Sequence, residues 1–262
     1  MSRVSALTMG VLAISVMVLG VPASRADNTT DFMQPYTVDA NTVLLYHLDD
    51  TVIDEVGHHD GSLSGDATFA TGRFGDGLSL DGSGDYVRAG NVHQNPSRRI
   101  DQGTAELWFK LTAAPTYFVL AGSGREYGGS WDDGFFVGRH ASYLNTLAFG
   151  VWGGGGWVWA DSGVTPESLV GQWHHVAGTW GSRGLEIWLD GQLLGATPYT
   201  GGLPNPAYET MLVGTDSWTW STPGFIDEVR VSDVQRLIIP EPASFILGAA
   251  GLAVVLLLRR WR

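Results

Sequence analysis

The 262-residue chain contains no cysteine, so it can form no disulfide and no thiolate-held metal site. A fold of this composition has to be held by its core, with bound ions as the remaining option. Lysine occurs once, at Lys110, and the 15 basic residues face 27 acidic ones, a formal net charge of −12. Such a surface repels phosphate backbones and anionic lipid, which excludes nucleic acid as a partner. The interior also lacks amphipathic helical spacing and any internal repeat. It contains no HExxH pair for a helix-borne metal.

What is present is unevenly distributed. Residues 1–26 carry a basic start, an apolar run from Val4 to Val21 and small residues at Ser24 and Ala26, the pattern of a secretory signal peptide cut after Ala26. At the other end, residues 243–258 hold no charge and are followed by Arg259, Arg260, Trp261 and Arg262. As a helix this run reaches roughly 24 Å, a marginal span that snorkelling arginines and an interfacial tryptophan extend. Pro240 and Pro242 stop the helix upstream. The positive-inside rule then keeps the arginines cytoplasmic and turns everything between outward. Without its two ends, the body of residues 27–239 has 26 acidic and 10 basic residues, scattered and not in blocks.

Pro240-Glu241-Pro242, an apolar segment and the cluster containing Arg259 and Arg260 resemble the PEP-CTERM sorting signal of Gram-negative bacteria. That resemblance implies recognition and processing by an exosortase in organisms that make an exopolysaccharide matrix. It leaves both anchored and released forms open, with a plain tail anchor as the simpler alternative.

The body holds many short apolar runs punctuated by its share of 36 glycines, which predicts an all-β protein. LEIWLDGQLLGA (185–196) is the clearest local signal: Asp190-Gly191 between alternating runs predicts a tight hairpin turn with positive φ at both positions. Strands are also predicted at VLLYHL, GLSLDG, DYVRAG, TAELWFKL, TYFVLAG, GFFVGR, NTLAFGVW, GWVWA, WHHVAGTW, TMLVGT and FIDEVRV. A dozen strands of this kind predict two packed antiparallel sheets in one domain. Residues 27–41 are polar and read as a loose linker.

LLYHLDD, GRFGDGLSLDGSGDYV, TAELWFKL, WHHVAGTW, EIWLDGQLL and FIDEVRVSD, in that order, resemble the LamG-like jelly-roll family, relatives of the concanavalin A-like lectins and glucanases. The resemblance covers 42–236 and implies a two-sheet antiparallel jelly-roll sandwich. It does not fix function, because the superfamily holds binders, enzymes and passive spacers.

Chemistry is thin. Laminarinase-like relatives align Glu-x-Asp-x-x-Glu on one strand, so that acid and nucleophile flank one bond about 5 Å apart. This chain has no such triplet, which predicts a non-catalytic protein. His174 and His175 are neighbours on a strand and diverge, as structural histidines. Gly153–Gly156 opens no helix and reads as a turn, not a phosphate cradle.

Calcium is the inorganic candidate. Asp227 is expected to share a face with Val229 and Val231, where a carboxylate needs a metal or backbone N–H partners. The two alternatives stay open. Asp49 and Asp81, with Asp50 and Asp54, could supply further hard oxygen ligands.

Trp157 and Trp159, and Trp218 and Trp220, stand two apart, so a strand would project each pair from one face as a platform for sugar rings. The competing reading makes them core filler or bracing, as expected for Trp108 and Trp173. The sequence thus points to an exported domain that binds a polysaccharide. A structural or protein-interaction module is the alternative, and a glycan-cleaving enzyme the least favoured reading.

Overall fold

A computed structural model describes residues 28–90, 92, 101–125, 134–153, 155–203, 209–216 and 220–239. The expected signal peptide (1–26), the sorting signal with Pro240, Glu241, Pro242, Arg259 and Arg260, the transmembrane segment 243–258, and Trp218 lie outside the described residues. Among the described residues, no helix is long and apolar enough to cross a membrane.

Among the described residues the regular structure is almost entirely strand. The first half forms β1 (Thr29–Thr30), β2 (Thr42–Tyr46), β3 (Ser62–Ser64), β4 (Thr68–Thr71), β5 (Asp76–Asp81), β6 (Tyr86–Ala89), β7 (Gly103–Leu111) and β8 (Tyr117–Arg125). The second half forms β9 (Phe135–His140), β10 (Ala148–Gly153), β11 (Gly156–Asp161), β12 (His174–Gly181), β13 (Gly184–Leu189), β14 (Gln192–Thr197), β15 (Glu209–Val213), β16 (Pro223–Ser232) and β17 (Leu237–Ile238). Every run expected to be a strand is one. A single 3-10 turn, Pro166–Leu169, interrupts the pattern.

Two antiparallel sheets pack face to face. One has the order β11-β10-β9-β8-β15-β6-β3, and the other β14-β13-β12-β7-β16-β5-β4, with β2 added beside β16. Alternation along each strand sends one set of side chains into the shared core: Leu107 and Phe109 from β7, Val176 from β12, Ile187 from β13, Phe135 and Val137 from β9, Phe149 and Val151 from β10. The Asp190-Gly191 turn forms as expected, with φ of 49° and 77°.

Two expectations are corrected. The segment before β2 is not a loose linker: Thr30, Phe32 and Tyr36 are buried, and β1 pairs in parallel with β17. This strap covers the outer face of the eight-stranded sheet, where Phe32, Tyr36 and Ile238 pack with Leu45, Trp108, Ala177 and Trp188 in a second cluster. It holds because the strands beneath carry large apolar groups on both faces.

The second correction concerns Asp227. A β-bulge between Asp227 and Arg230 places Glu228 at φ 52° and shifts the alternation by one residue. Ile226, Val229 and Val231 therefore face the core, and Asp227 does not share their face. At the same bulge β16 exchanges its neighbour: residues 223–226 pair with β5, and 229–232 with β2.

Candidate functional site

The outer face of the seven-stranded sheet gathers aromatic rings from six segments. On β11, Trp157 and Trp159 project together and stack at 5.2 Å between centroids, 26° apart. Trp152, paired with Trp157 across β10 and β11, meets it edge-on at 5.7 Å. Phe136 of β9 is buried beneath both and meets Trp159 edge-on at 5.5 Å. Tyr143, 57% exposed, lies 5.6 Å from Trp159 and 4.5 Å from His140. His140 in turn meets Trp220 edge-on at 4.5 Å, and Trp220 stacks on Tyr117 at 4.7 Å.

The sheet is shaped for this. Gly150 lies opposite Trp159 in register, and a Cβ at Gly150 would come within 2.5 Å of the Trp159 ring. Glycine is thus required there for the indole to lie across β10. Polar groups border the rings. Asp161 accepts hydrogen bonds from the Thr146 hydroxyl (2.5 Å) and the Gly163 amide (2.8 Å), and the Tyr117 hydroxyl is 2.8 Å from Ser142 Oγ. Burial lowers the pKa of His140, keeping the imidazole beside Trp220 neutral near pH 7.

The structure therefore joins Trp157, Trp159 and Trp220 in one surface. It differs from expectation in one respect: Trp220 sits in the loop before β16, not on a strand. Trp152, Tyr143, His140 and Tyr117 complete the surface. An alternation count from Trp157 back across the Gly153–Gly156 hairpin could have found Trp152, but nothing local marked the other three. Trp108 is core-like as expected, though on the outer face under the strap, where its Nε1 donates to Phe32 O at 3.1 Å.

The residues expected to hold calcium do not converge. Asp227 Oδ2 accepts the amides of Arg73 (2.7 Å) and Phe74 (2.9 Å), while Asp49 Oδ1 accepts the amide of Asp76 (2.7 Å). Both carboxylates thereby organise the 72–76 turn that fills the gap left by the bulge. A Cβ at Gly72 would lie 2.6 Å from Asp227 Oδ2, which explains the glycine in GRFGDG. Burial pushes the Asp227 carboxyl up to about 7, against the pull of the Phe74 and Arg73 amides. Asp81 stands at the far end of β5, roughly 16 Å along the strand from Asp76, in a group with Asp66 and Asp85. Asp85 there accepts the amides of Asp66 and Asp81 at 2.9 Å each. Asp54 likewise is a buried acceptor for the amides of Leu45, Val56, His58 and His59. Asp81 thus stands apart from Asp49 and Asp227, so the three do not form one ligand set, while Asp227 Oδ1 is buried without a hydrogen-bond partner.

The two histidines diverge as expected. His174 Nδ1 is 2.8 Å from Asp190 Oδ2. His175 is fully buried under the strap, with Nε2 2.7 Å from the Tyr36 hydroxyl and 3.5 Å from Glu106 Oε2.

Comparison with known proteins agrees with this architecture. The family model of the concanavalin A-like lectin/glucanases superfamily matches residues 81–236. The fourth domain of an extracellular GH43 arabinanase from Geobacillus stearothermophilus, solved in complex with arabinotriose, superposes with a TM-score of 0.63 at 17% identity. That match covers 76% of this chain and 95% of that domain. The receptor-binding domain of botulinum neurotoxin C/D mosaic serotype gives 0.55 at 14% identity, over 76% of this chain and 49% of the other. Trypanosoma rangeli sialidase bound to the inhibitor DANA gives 0.51 at 17%, over 73% of this chain and 30% of the enzyme. The chain thus spans about half or less of the toxin domain and the sialidase. No curated protein matches. At these identities the neighbours speak for the fold alone, and the chain belongs to the concanavalin A-like lectin/glucanase superfamily.

Proposed function

We propose that this protein is a non-catalytic carbohydrate-binding module whose saccharide surface is the aromatic face of the seven-stranded sheet, centred on Trp159. The observation that carries this reading is the stacked Trp157–Trp159 pair laid across Gly150, continuous with Tyr143, His140 and Trp220. Sugar rings present apolar C–H faces that pack on indoles, and their hydroxyls find partners in neighbouring polar groups. The Asp161, Thr146 and Ser142 side chains supply these at the border. The superfamily and the arabinotriose complex of its fourth-domain neighbour are consistent with a glycan ligand.

The absence of catalysis is part of the proposal. Each carboxylate buried in the described strands already has a partner on at least one oxygen: Glu106 has Arg230, Glu186 has Arg183 and Thr179, Asp227 has two amides, and Glu228 has the Tyr36 amide and His47. A glycosidase needs a pair left free to flank one bond. The two chain ends extend the reading to an exported protein at the envelope or in the matrix of a Gram-negative bacterium. There an exosortase-type enzyme would process the tail, and the producer's own exopolysaccharide is the ligand in view.

Tryptophan fluorescence of the purified full-length chain, titrated with a panel of neutral polysaccharides, tests the proposal. At least one should quench or shift the emission, and Trp159→Ala should remove the response. A flat response across the panel would leave a structural or adhesive module, and reducing ends released from any glycan would overturn the non-catalytic part.

A further inference from the structure

A second cleft lies on the opposite side of the sandwich, between the strap, the 72–76 turn and the start of β12. It is an open depression of about 430 Å³, lined by Phe32, Met33, Arg73, Trp108, Gln172, Trp173, His174 and Asp190. That volume lies within the range of about 300–1,000 Å³ common for small-molecule sites.

Its charge is out of keeping with the rest of the molecule. In a chain with 27 acidic and 15 basic residues, cations are expected to be paired. Arg139, Arg183, Arg230 and Arg236 each bind a carboxylate. Arg73 binds none among the described residues. Its guanidinium lies over Trp108, 4.6 Å from the ring centre, and 4.9 Å from that of Phe74. Its own amide is fixed by Asp227 Oδ2 at 2.7 Å, so the base of the side chain is held as well. Lys110, two residues beyond Trp108 on β7, likewise has no carboxylate partner among the described residues and sits 5.9 Å from the Phe225 ring. Phe225 is in turn 6.4 Å from Trp173 of the cleft.

The one carboxylate among the described lining residues, Asp190, is already hydrogen-bonded. Asp190 Oδ1 accepts the His175 amide at 2.8 Å, and Oδ2 is 2.8 Å from His174 Nδ1. His174 Nε2 makes no hydrogen bond in the fold. A guanidinium fork held flat on an indole is pre-organised for bidentate binding of a carboxylate, and stacking costs it none of its donors. Half-buried Trp173 provides an aromatic wall, Trp108 lies beneath Arg73 as the floor, and the exposed Gln172 provides a hydrogen-bonding group of the kind that reads hydroxyls.

We infer that this cleft is an acidic-sugar site, in which the Arg73 guanidinium binds the carboxylate of a uronate residue whose ring packs on Trp173. The Trp173 wall favours a sugar ring over an acidic peptide side chain, which would bring no flat apolar face to it. The site lies on the other sheet from the Trp159 surface and does not depend on it.

Isothermal titration of the full-length chain with tetragalacturonate, and with its methyl ester as the neutral equivalent, tests the inference. The acid should bind at least tenfold more tightly than the ester, and more weakly as salt is raised. Arg73→Gln should lose at least tenfold, Arg73→Lys should retain part of the affinity, and Trp159→Ala should change nothing. Should Arg73→Gln fail to fold, the exposed Gln172→Ala takes its place, with a several-fold loss expected. Equal binding of acid and ester, no binding of the acid, or full affinity in a folded Arg73→Gln or Gln172→Ala would overturn the assignment. Failure of the neutral panel at the Trp159 face would leave it standing.

Discussion

Tyr36 and His175, 139 residues apart in the chain, meet with 2.7 Å between the phenolic oxygen and Nε2, both side chains fully enclosed. Phe32 stacks on the same imidazole at 4.5 Å, and the Tyr36 ring covers the Arg230 guanidinium at 4.2 Å. The Tyr36 amide also donates to Glu228 Oε2 at 2.7 Å. The strap is thus part of the folded domain, fastened at a buried polar contact and not merely laid on the surface.

Tyr36→Phe should therefore destabilise the protein by about 1–3 kcal/mol, because His175 Nδ1 already lacks a partner and Nε2 would be left with only the longer 3.5 Å contact to Glu106. Tyr36→Ala adds a cavity and should cost about 3–5 kcal/mol. Met33→Ala, on an exposed neighbour in the same strap, should stay within about 0.5 kcal/mol. Urea unfolding of the three variants separates these values, and an unchanged Tyr36→Phe would mean that the contact contributes nothing.

Glu106 sets the acid limit of the fold. Burial alone would raise its pKa, but the Arg230 guanidinium, 2.7 Å away, and the His175 imidazole, 3.5 Å from Oε2, hold it down at about 2, against an ordinary 4.5. A depressed carboxyl stabilises the folded state fully above its unfolded pKa and loses that contribution as pH falls through the folded one. Stability should accordingly decline between about pH 4.5 and pH 2, by on the order of 3 kcal/mol from this group. Glu106→Gln should flatten that part of the profile while lowering stability at neutral pH, since Arg230 is left buried without its counter-charge. Denaturant melts from pH 2 to 7 read both effects.

The parts legible in the sequence are those encoded by residues close together. Asp190-Gly191 announces its turn because few residue pairs accept two positive φ values, and Trp157 and Trp159 announce a shared face because strand side chains alternate. The same rule misled at Asp227: the bulge at Glu228 inserts one residue, and neither a glycine nor a proline marks it. The strap was illegible for another reason. Thr30 finds Arg230 across 200 residues and Glu106 across 76, so its short polar stretch reads as a linker until the partners are known.

The carboxylates of the 72–76 turn predict indifference to metal. Asp49 and Asp227 spend oxygens on backbone amides, and Asp81 belongs to another turn. Thermal melting with a chelator should match melting in millimolar calcium within a degree. A rise of several degrees with calcium would mean that a cation binds the native state by some other set of oxygens.

Gly150 offers the sharpest test of the aromatic surface, because it changes the platform without removing an aromatic ring. A methyl group there would meet the Trp159 ring at 2.5 Å, closer than any unstrained contact, so the indole must lift from β10. The neighbours Phe149 and Val151 point into the core and are untouched, so the sandwich itself should survive. Gly150→Ala should therefore retain cooperative unfolding while binding of a responsive neutral glycan falls by roughly tenfold, the order expected when one stacking anchor is misplaced. Trp159→Ala should fall at least as far, and the two changes combined should lose no more than Trp159→Ala alone, because both act on the same ring. Additive losses would mean that Gly150 touches the ligand itself. An unaltered Gly150→Ala would mean that the sugar does not pack on Trp159.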